Sequence, residues 1–147
     1  AECHALVETL GVRDLIFTGR VNVVEYMEKL DFTILTSISE GQPLSVLESL
    51  AARRPCVTTE VGCCRELLEG APGDDFGVAG FVTPPMYRKG LADAMERMCA
   101  SRARRLEMGE RGQRRVATYY LHEQMLAKYR ALYDETACAF NLPREGE

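Results

Sequence analysis

Hydrophobic positions along this chain follow two alternating patterns, short β-branched runs and longer stretches with a period of three to four residues. The short runs predict four strands, at residues 15–18, 32–36, 56–59 and 80–83. The longer stretches predict helices at residues 3–10, 43–53, 65–69 and within 87–136, with breaks near 100–102 and 120. Alternating strands and helices are typical of a parallel sheet with helices on both faces, so we expect an α/β fold.

Two further local signals complete this prediction of the fold. Asn22 followed by Glu25 has the spacing of a capping box and predicts a helix start, with an apolar stripe at Val24, Met27 and Leu30. The chain begins inside what is predicted to be a crossover helix, and in doubly wound sheets the earliest strands lie in the middle. We therefore expect the first strands of the sheet to be missing and the chain to be part of a longer protein.

The composition narrows the classes of function. Apolar residues make up 46% of the 147 residues, and 18 basic against 22 acidic residues give a net charge of −4. A length of 147 residues fits one domain, and an acidic chain lacks the basic field that would hold a nucleic acid, so we expect no nucleic-acid partner. No run of 18 apolar residues occurs and the N-terminal residues do not resemble a signal peptide, so we expect a cytoplasmic location. The six cysteines form no C-x-x-C pair, and the adjacent Cys3 and His4 do not make up a set of metal ligands, which argues against a metal site.

The segment 36–52, TSISEGQPLSVLESLAA, is the candidate for chemistry because it places Glu40 after a strand and just before a helix start. Pro43 suits the first position of that helix, and the next free amides, at Leu44 and Ser45, would favour a phosphate. Gly41 allows another molecule to approach the backbone. Because a carboxylate would repel phosphate, Glu40 is better matched to the hydroxyls of a neutral group. A sugar phosphate would satisfy both.

Glu48 is the second candidate in this segment. We predict that the buried stripe of the helix consists of Leu44, Leu47, Leu50 and Ala51, which puts Glu48 on its flank. An exposed ion pair is one interpretation of Glu48. The other is a half-buried carboxylate that accepts hydrogen bonds from a vicinal diol such as that of ribose.

The motif SEGQPL, with Glu48 eight residues after Glu40, resembles the Glu-(seven residues)-Glu motif of the retaining group 1 glycosyltransferases, which have the GT-B fold. FTGRV before the motif, and TTEVGCCREL, GFVTPP and YYLHEQMLAKYRALYDE after it, are similar to corresponding blocks of that family. The segment SISEGQPLSVLES, followed by VGCCREL, resembles the corresponding sequence of the PelF-type enzymes of Pel exopolysaccharide synthesis. The resemblance implies a Rossmann-like parallel sheet with flanking helices, from the C-terminal, donor-binding part of such an enzyme.

The resemblance also implies roles for residues. Glu40 would contact hydroxyls of the donor hexose, the backbone of residues 41–45 would hold the diphosphate, and Glu48 would bind the ribose. Gly19 and Arg20 would lie near the nucleobase, although Arg20 is equally readable as a surface arginine. Glu40 is therefore the candidate catalytic residue, and the candidate substrate-binding residues are Gly41, Gln42, Pro43, Leu44, Ser45, Glu48, Gly19 and Arg20.

We therefore expect a hexosyl transfer from a nucleotide sugar of the UDP-glucose type to a saccharide acceptor, with retention and without a metal or other cofactor. Residues 1–137 would form the donor-binding domain and 138–147 a C-terminal tail. The acceptor would bind an N-terminal domain, and association with a membrane polysaccharide-synthesis complex is a further expected partnership. A nucleotide-sugar epimerase of the same architecture and a non-catalytic nucleotide-sugar-binding fragment remain open as alternatives.

Two charged groups elsewhere in the sequence suggest solvated surface. The arginines between residues 102 and 115 are interleaved with Glu107 and Glu110, so we expect a solvated helix face. Asp74 and Asp75 fall in the glycine-rich loop at residues 71–80, and there we expect them to face water.

Overall fold

The computed structural model describes residues 2–140 and contains seven helices and three strands in that part of the chain. The helices are α1 (Glu2–Leu10), α2 (Val23–Met27), α3 (Leu44–Ala51), α4 (Cys64–Glu69), α5 (Arg88–Cys99), α6 (Arg102–Tyr119) and α7 (His122–Phe140). The strands are β1 (Thr33–Leu35), β2 (Cys56–Thr59) and β3 (Gly80–Thr83). Of the predicted tail, residues 138–140 fall in the last turn of α7, and 141–147 lie outside the described residues.

The three strands form one parallel sheet in the order β1-β2-β3. Thr33 pairs with Cys56 at one side of β2, and Cys56 pairs with Gly80 at the other, so the strands are nearly in register. Parallel strands joined through helices confirm the α/β, Rossmann-like class. In a parallel sheet all carboxyl ends lie at the same edge, so the loops that lead into α3, α4 and α5 meet there.

The predicted first strand, at residues 15–18, is wrong. This segment is coil without a partner strand in the described part of the chain, and Ile16 is 84% exposed. An apolar β-branched run becomes a strand only when a neighbouring strand accepts its backbone hydrogen bonds. The bonds of the sheet run only between β1 and β2 and between β2 and β3, so this run lacks that partner.

The core consists of two layers, one on each face of the sheet. On one face Val46 and Leu50 of α3 pack with Leu67 and Leu68 of α4 against Cys56. On the other face α5 covers β2 and β3, with a cluster formed by Val57, Phe81, Ala94, Met98 and, from the first half of α6, Met108. Neighbouring residues Cys56 and Val57 point to opposite faces, as the two-residue period of a strand requires.

Helix α6 lies very close to α3 because its contact face carries glycines. A Cβ atom added at Gly112 would lie 2.5 Å from Leu50 Cδ2, and one added at Gly109 would lie 2.1 Å from the carbonyl oxygen of Arg53. Any larger side chain would push the two helices apart. The close approach fixes the position of α3, and with it the loop that precedes α3.

One arginine of the cluster between residues 102 and 115 is not solvated. The side chain of Arg115 is 1% exposed, and it donates to Asp74, whose side chain is 3% exposed, as well as to the carbonyl oxygens of Leu67, Leu68 and Gly77. The expectation of a fully solvated arginine face is wrong at this position, and so is that of a solvated Asp74. A charge can be buried here because every donor direction ends on a carboxylate or a carbonyl. The pair ties α6 to the end of α4 and to the loop before β3.

Candidate functional site

Helix α3 starts one residue later than the sequence pattern indicates. Pro43 has φ −72° and ψ 112°, which is extended backbone, so it is the N-cap of α3 and not its first helical residue. Its side chain makes no capping hydrogen bond, while its carbonyl oxygen accepts from the amides of Val46 and Leu47. The start of α3 therefore lacks a side-chain acceptor of its own.

The first two amides of α3 are available to a ligand. Among the hydrogen bonds of residues 2–137, none uses the N–H of Leu44 or Ser45 as donor, and both residues are exposed. The first N–H groups of a helix have no acceptor within the helix and lie at the positive end of its dipole. Such a pair of amides can bind a phosphate or another anion.

The loop before α3 is fastened to the turn that follows β2. The N–H of Cys63 donates to the carbonyl oxygen of Gly41 over 2.9 Å. Gly62 has φ +51°, and a Cβ atom there would lie 2.0 Å from that same oxygen and 2.6 Å from the carbonyl oxygen of Glu40. Only glycine allows this approach, because an L side chain is disfavoured at that φ and would also collide with the loop.

Glu40 is held by a neighbour in its own loop. Its Oε1 accepts a hydrogen bond of 2.7 Å from Ser37 Oγ, and both residues are half-buried. The carbonyl oxygen of Ser37 in turn accepts a 2.5 Å hydrogen bond from Thr59 Oγ1, at the end of β2. The carboxylate of Glu40 is thus connected through two hydrogen bonds to the carboxyl edge of the sheet.

Glu48 is exposed, on the face of α3 opposite to the core. The predicted buried stripe of α3 is wrong in part, because the buried residues are Val46, Ser49 and Leu50, whereas Leu44 is 68% exposed. The sequence pattern failed because Ser49 is polar but buried, with its hydroxyl bonded to Thr33 Oγ1 and to the carbonyl oxygen of Arg54. Glu48 makes no ion pair within residues 2–137, so its carboxylate is available.

Open cavities adjoin both ends of this segment. One, of about 590 Å³, is bordered by Gln42, Leu44 and Glu48 on one side and by the residues around Tyr120 on the other. A second, of about 380 Å³, lies at the carboxyl ends of the three strands and is bordered by Thr36, Thr59 and Thr83. Ligands of open α/β sheets bind at this edge.

Gly19 and Arg20 make no polar contact with this arrangement within residues 2–137. Both are exposed in the coil between α1 and α2, and within residues 2–137 no hydrogen bond or ion pair connects either of them to α3 or to its preceding loop. Their predicted position near a nucleobase stays a prediction. It depended on a strand at residues 15–18, which the structure does not contain.

Sequence reasoning assigned no role in the site to four residues that shape it, namely Ser37, Thr59, Gly62 and Cys63. Burial raises the pKa of the Cys63 thiol, so this cysteine is a neutral group at the edge of the site. A weak signal was present, since both the strand end at Thr59 and the turn at Gly62 fall where a ligand edge is expected. Within residues 2–137 no group of three or more His, Cys, Asp and Glu side chains could hold a metal ion.

These features define a Rossmann-like α/β protein with a helix start, whose first two amides are exposed and unpaired within residues 2–137, at the carboxyl edge of its sheet. Residues 1–101 match the sequence model of the family described as glycosyl transferases group 1. The chain therefore belongs to the group 1 glycosyltransferases.

The chain is also similar to individual known proteins. The chain is 28% identical over 130 residues to the N-acetyl-alpha-D-glucosaminyl L-malate synthase of Bacillus anthracis, covering 87% of this chain and 32% of the relative. Its structure is similar to the sucrose-phosphate synthase of Thermosynechococcus elongatus, with a TM-score of 0.82, 22% identity, and coverage of 94% of this chain and 34% of that one.

A second solved structure is similar as well. This is Anabaena Alr3699/HepE in complex with UDP-glucose, with a TM-score of 0.71, 20% identity, and coverage of 88% of this chain and 36% of that one. At these identities both structural likenesses show the fold. The chain spans about a third of the length of these relatives.

None of the helices described between residues 2 and 140 has the length and apolar character needed to cross a membrane.

Proposed function

We propose that the protein transfers a hexosyl group from a nucleotide diphosphate sugar of the UDP-glucose type to a saccharide acceptor, with retention of configuration. Membership of the group 1 glycosyltransferases supports the class of reaction. The observation that carries the donor site is the pair of exposed amides at Leu44 and Ser45, which follow directly on the loop of Glu40. A role in exopolysaccharide synthesis, like that of the PelF-type enzymes, belongs to this proposal, and so does association with a membrane polysaccharide-synthesis complex.

In this proposal the diphosphate binds the amides of Leu44 and Ser45. A hydrogen bond between an amide and a charged phosphate contributes about 1.5–3 kcal/mol, and the helix dipole adds to it. Gln42 borders the same cavity as Leu44, and Gly41, which precedes it in the loop, is exposed. The same amides stabilise the negative charge that develops on the departing diphosphate. We propose that they do so without a metal ion.

The two glutamates then recognise the sugar groups on either side of the diphosphate. Glu48 lies three residues after Ser45, which places it about 4.5 Å further along the helix axis. This is a suitable separation for a ribose attached to the diphosphate. Glu40, before the helix, is on the side of the hexose. Gly19 and Arg20 remain the proposed contacts of the nucleobase, and the acceptor is proposed to bind an N-terminal domain that faces this edge.

Nucleotide binding tests the donor site directly. We expect UDP and UDP-glucose to bind the protein in isothermal titration calorimetry, and Glu48→Ala to weaken both by about 1.5–3 kcal/mol, because a charged partner of the ribose diol is lost. Glu96→Ala is the matched control, since Glu96 is an exposed glutamate of α5 and borders neither of the two cavities described next to this segment. Equal affinities of Glu48→Ala and the control for UDP would contradict the assignment of Glu48.

The reaction itself is tested by its products. Incubation of the whole protein with UDP-glucose and a saccharide acceptor should give a glycoside of retained configuration, which NMR of the anomeric proton identifies. Release of a free epimeric nucleotide sugar would instead indicate the epimerase alternative. Binding of UDP-glucose without any product would indicate a non-catalytic binding protein.

A further inference from the structure

The hydrogen bond between Ser37 and Glu40 fixes one oxygen of the proposed catalytic carboxylate. Ser37 Oγ donates to Glu40 Oε1 over 2.7 Å. No lysine or arginine forms an ion pair with Glu40 among residues 2–137, and no other side chain there bonds to its carboxylate. The Ser37 hydroxyl is therefore the group that sets the orientation of this side chain, while Oε2 keeps its full capacity to accept hydrogen bonds.

Ser37 is itself held in place by the sheet. Its carbonyl oxygen accepts from Thr59 Oγ1, and on the other side of Glu40 the carbonyl oxygen of Gly41 accepts from the N–H of Cys63. The backbone on both sides of Glu40 is thus bonded to β2 and to the turn that follows it. Because its backbone is fixed in this way, the Ser37 hydroxyl can hold the Glu40 carboxylate in one orientation.

We propose that Ser37 is a positioning residue, which binds Oε1 of Glu40 and directs Oε2 to the hydroxyls of the donor hexose. The inference rests on the proposed function, because it assumes that Glu40 contacts that hexose. Without Ser37 the Glu40 carboxylate would rotate freely and would lose that freedom when the sugar binds. A carboxylate that is already oriented loses less entropy on binding. Ser37 should therefore contribute to the affinity for UDP-glucose and not to the affinity for UDP.

The test compares two ligands, UDP-glucose and UDP, in titration calorimetry with the same variants. We expect Ser37→Ala to weaken UDP-glucose by about three- to tenfold, the net effect of one hydrogen bond, and to leave UDP unchanged. Ser39→Ala is the matched control, because Ser39 lies in the same loop, is exposed, and makes no side-chain hydrogen bond within residues 2–137. It should leave both affinities unchanged.

Further variants separate positioning from a general structural role. Ser37→Thr keeps the hydroxyl and should bind both ligands like the wild type. Ser37→Cys keeps the volume but offers only a weak donor, so it should show the loss expected of Ser37→Ala and serves in its place should the alanine variant unfold. If Ser37→Ala and Ser37→Cys weaken the binding of UDP and of UDP-glucose equally, or weaken the binding of neither, the role of Ser37 is overturned.

The outcomes for the wild type and for Glu40→Ala keep the two proposals apart. If the wild type binds neither UDP nor UDP-glucose, the proposed function fails and this inference fails with it. If Glu40→Ala loses affinity for UDP-glucose alone while Ser37→Ala and Ser37→Cys behave like the wild type, the proposed function stands and only the inference about Ser37 is overturned.

Discussion

Gly62 connects the stability of the fold with the geometry of the proposed donor site, and Gly62→Ala is the sharpest test of that connection. The glycine has φ +51° in the turn between β2 and α4. An added Cβ atom would lie 2.0 Å from the carbonyl oxygen of Gly41 and 2.6 Å from that of Glu40. Both are backbone atoms, so no change of rotamer can relieve the contact.

The magnitude follows from two effects. A left-handed backbone costs an alanine about 1–2 kcal/mol. In addition, ordinary contact with a Cβ atom begins at 3.4 Å, so the loop before α3 must retreat by about 1.4 Å. That shift breaks the hydrogen bond from Cys63 N–H to Gly41, which contributes about 0.5–1.5 kcal/mol. We expect Gly62→Ala to lower the free energy of unfolding by about 1.5–3.5 kcal/mol.

The assay is urea denaturation followed by circular dichroism, together with titration of UDP-glucose into the folded variant. Gly73→Ala is the matched control, because Gly73 also has a positive φ, +91°, but has open space where the Cβ atom would lie. It carries the backbone penalty without the collision. Equal destabilisation by the two substitutions, with unchanged affinity of Gly62→Ala for UDP-glucose, would refute the claim that this turn positions the loop before α3.

Two further predictions concern the core. Asp74→Ala leaves Arg115 buried without a carboxylate partner, so it should lower the free energy of unfolding, measured by urea denaturation, by about 3–5 kcal/mol. Asp75 is exposed, so Asp75→Ala should change that free energy little. Hydrogen bonds from Arg115 lower the pKa of Asp74 below its ordinary value of 3.8, so this stabilisation is complete above pH 4 and is lost as the pH falls through the lowered pKa. The difference in the free energy of unfolding between the wild type and Asp74→Ala should therefore become smaller when urea denaturation is repeated below pH 4. A difference that stays constant there would contradict the ion pair. Burial raises the pKa of Cys56 to about 12, so we expect iodoacetamide at pH 8 to modify the exposed Cys99 and to leave Cys56 unmodified. Peptide mass spectrometry would measure the extent of labelling at each cysteine. Equal labelling of the two would contradict the buried position of Cys56.

The sequence predicted the elements whose signals are local. The strands at residues 56–59 and 80–83 occur as predicted, because each is a short apolar run bounded by turn residues. The breaks between the C-terminal helices also fall where predicted. At the second helix Asn22 is the N-cap and Glu25 contacts its side chain, but the predicted apolar stripe is not buried, since Val24 is 74% exposed.

The sequence also located the centre of the candidate site. The order of a strand, a glutamate, a proline and an amphipathic helix can be read within a segment of 17 residues, and the structure places the free amides of Leu44 and Ser45 where this order predicts them. The family resemblance came from the same short segment and its neighbours, and the match over residues 1–101 confirms the family. The donor, the acceptor and the roles of the individual residues stay predictions.

Tertiary structure alone decided which polar groups are buried and which apolar groups are not. Arg115 donates to Asp74 across a sequence separation of 41 residues, and Thr59 donates to Ser37 across a separation of 22. No local pattern indicates such pairs, because the free energy of burying a polar group depends on whether a partner arrives once the chain has folded. For the same reason the run at residues 15–18 looked like a strand but forms none, since a strand exists only together with its neighbour.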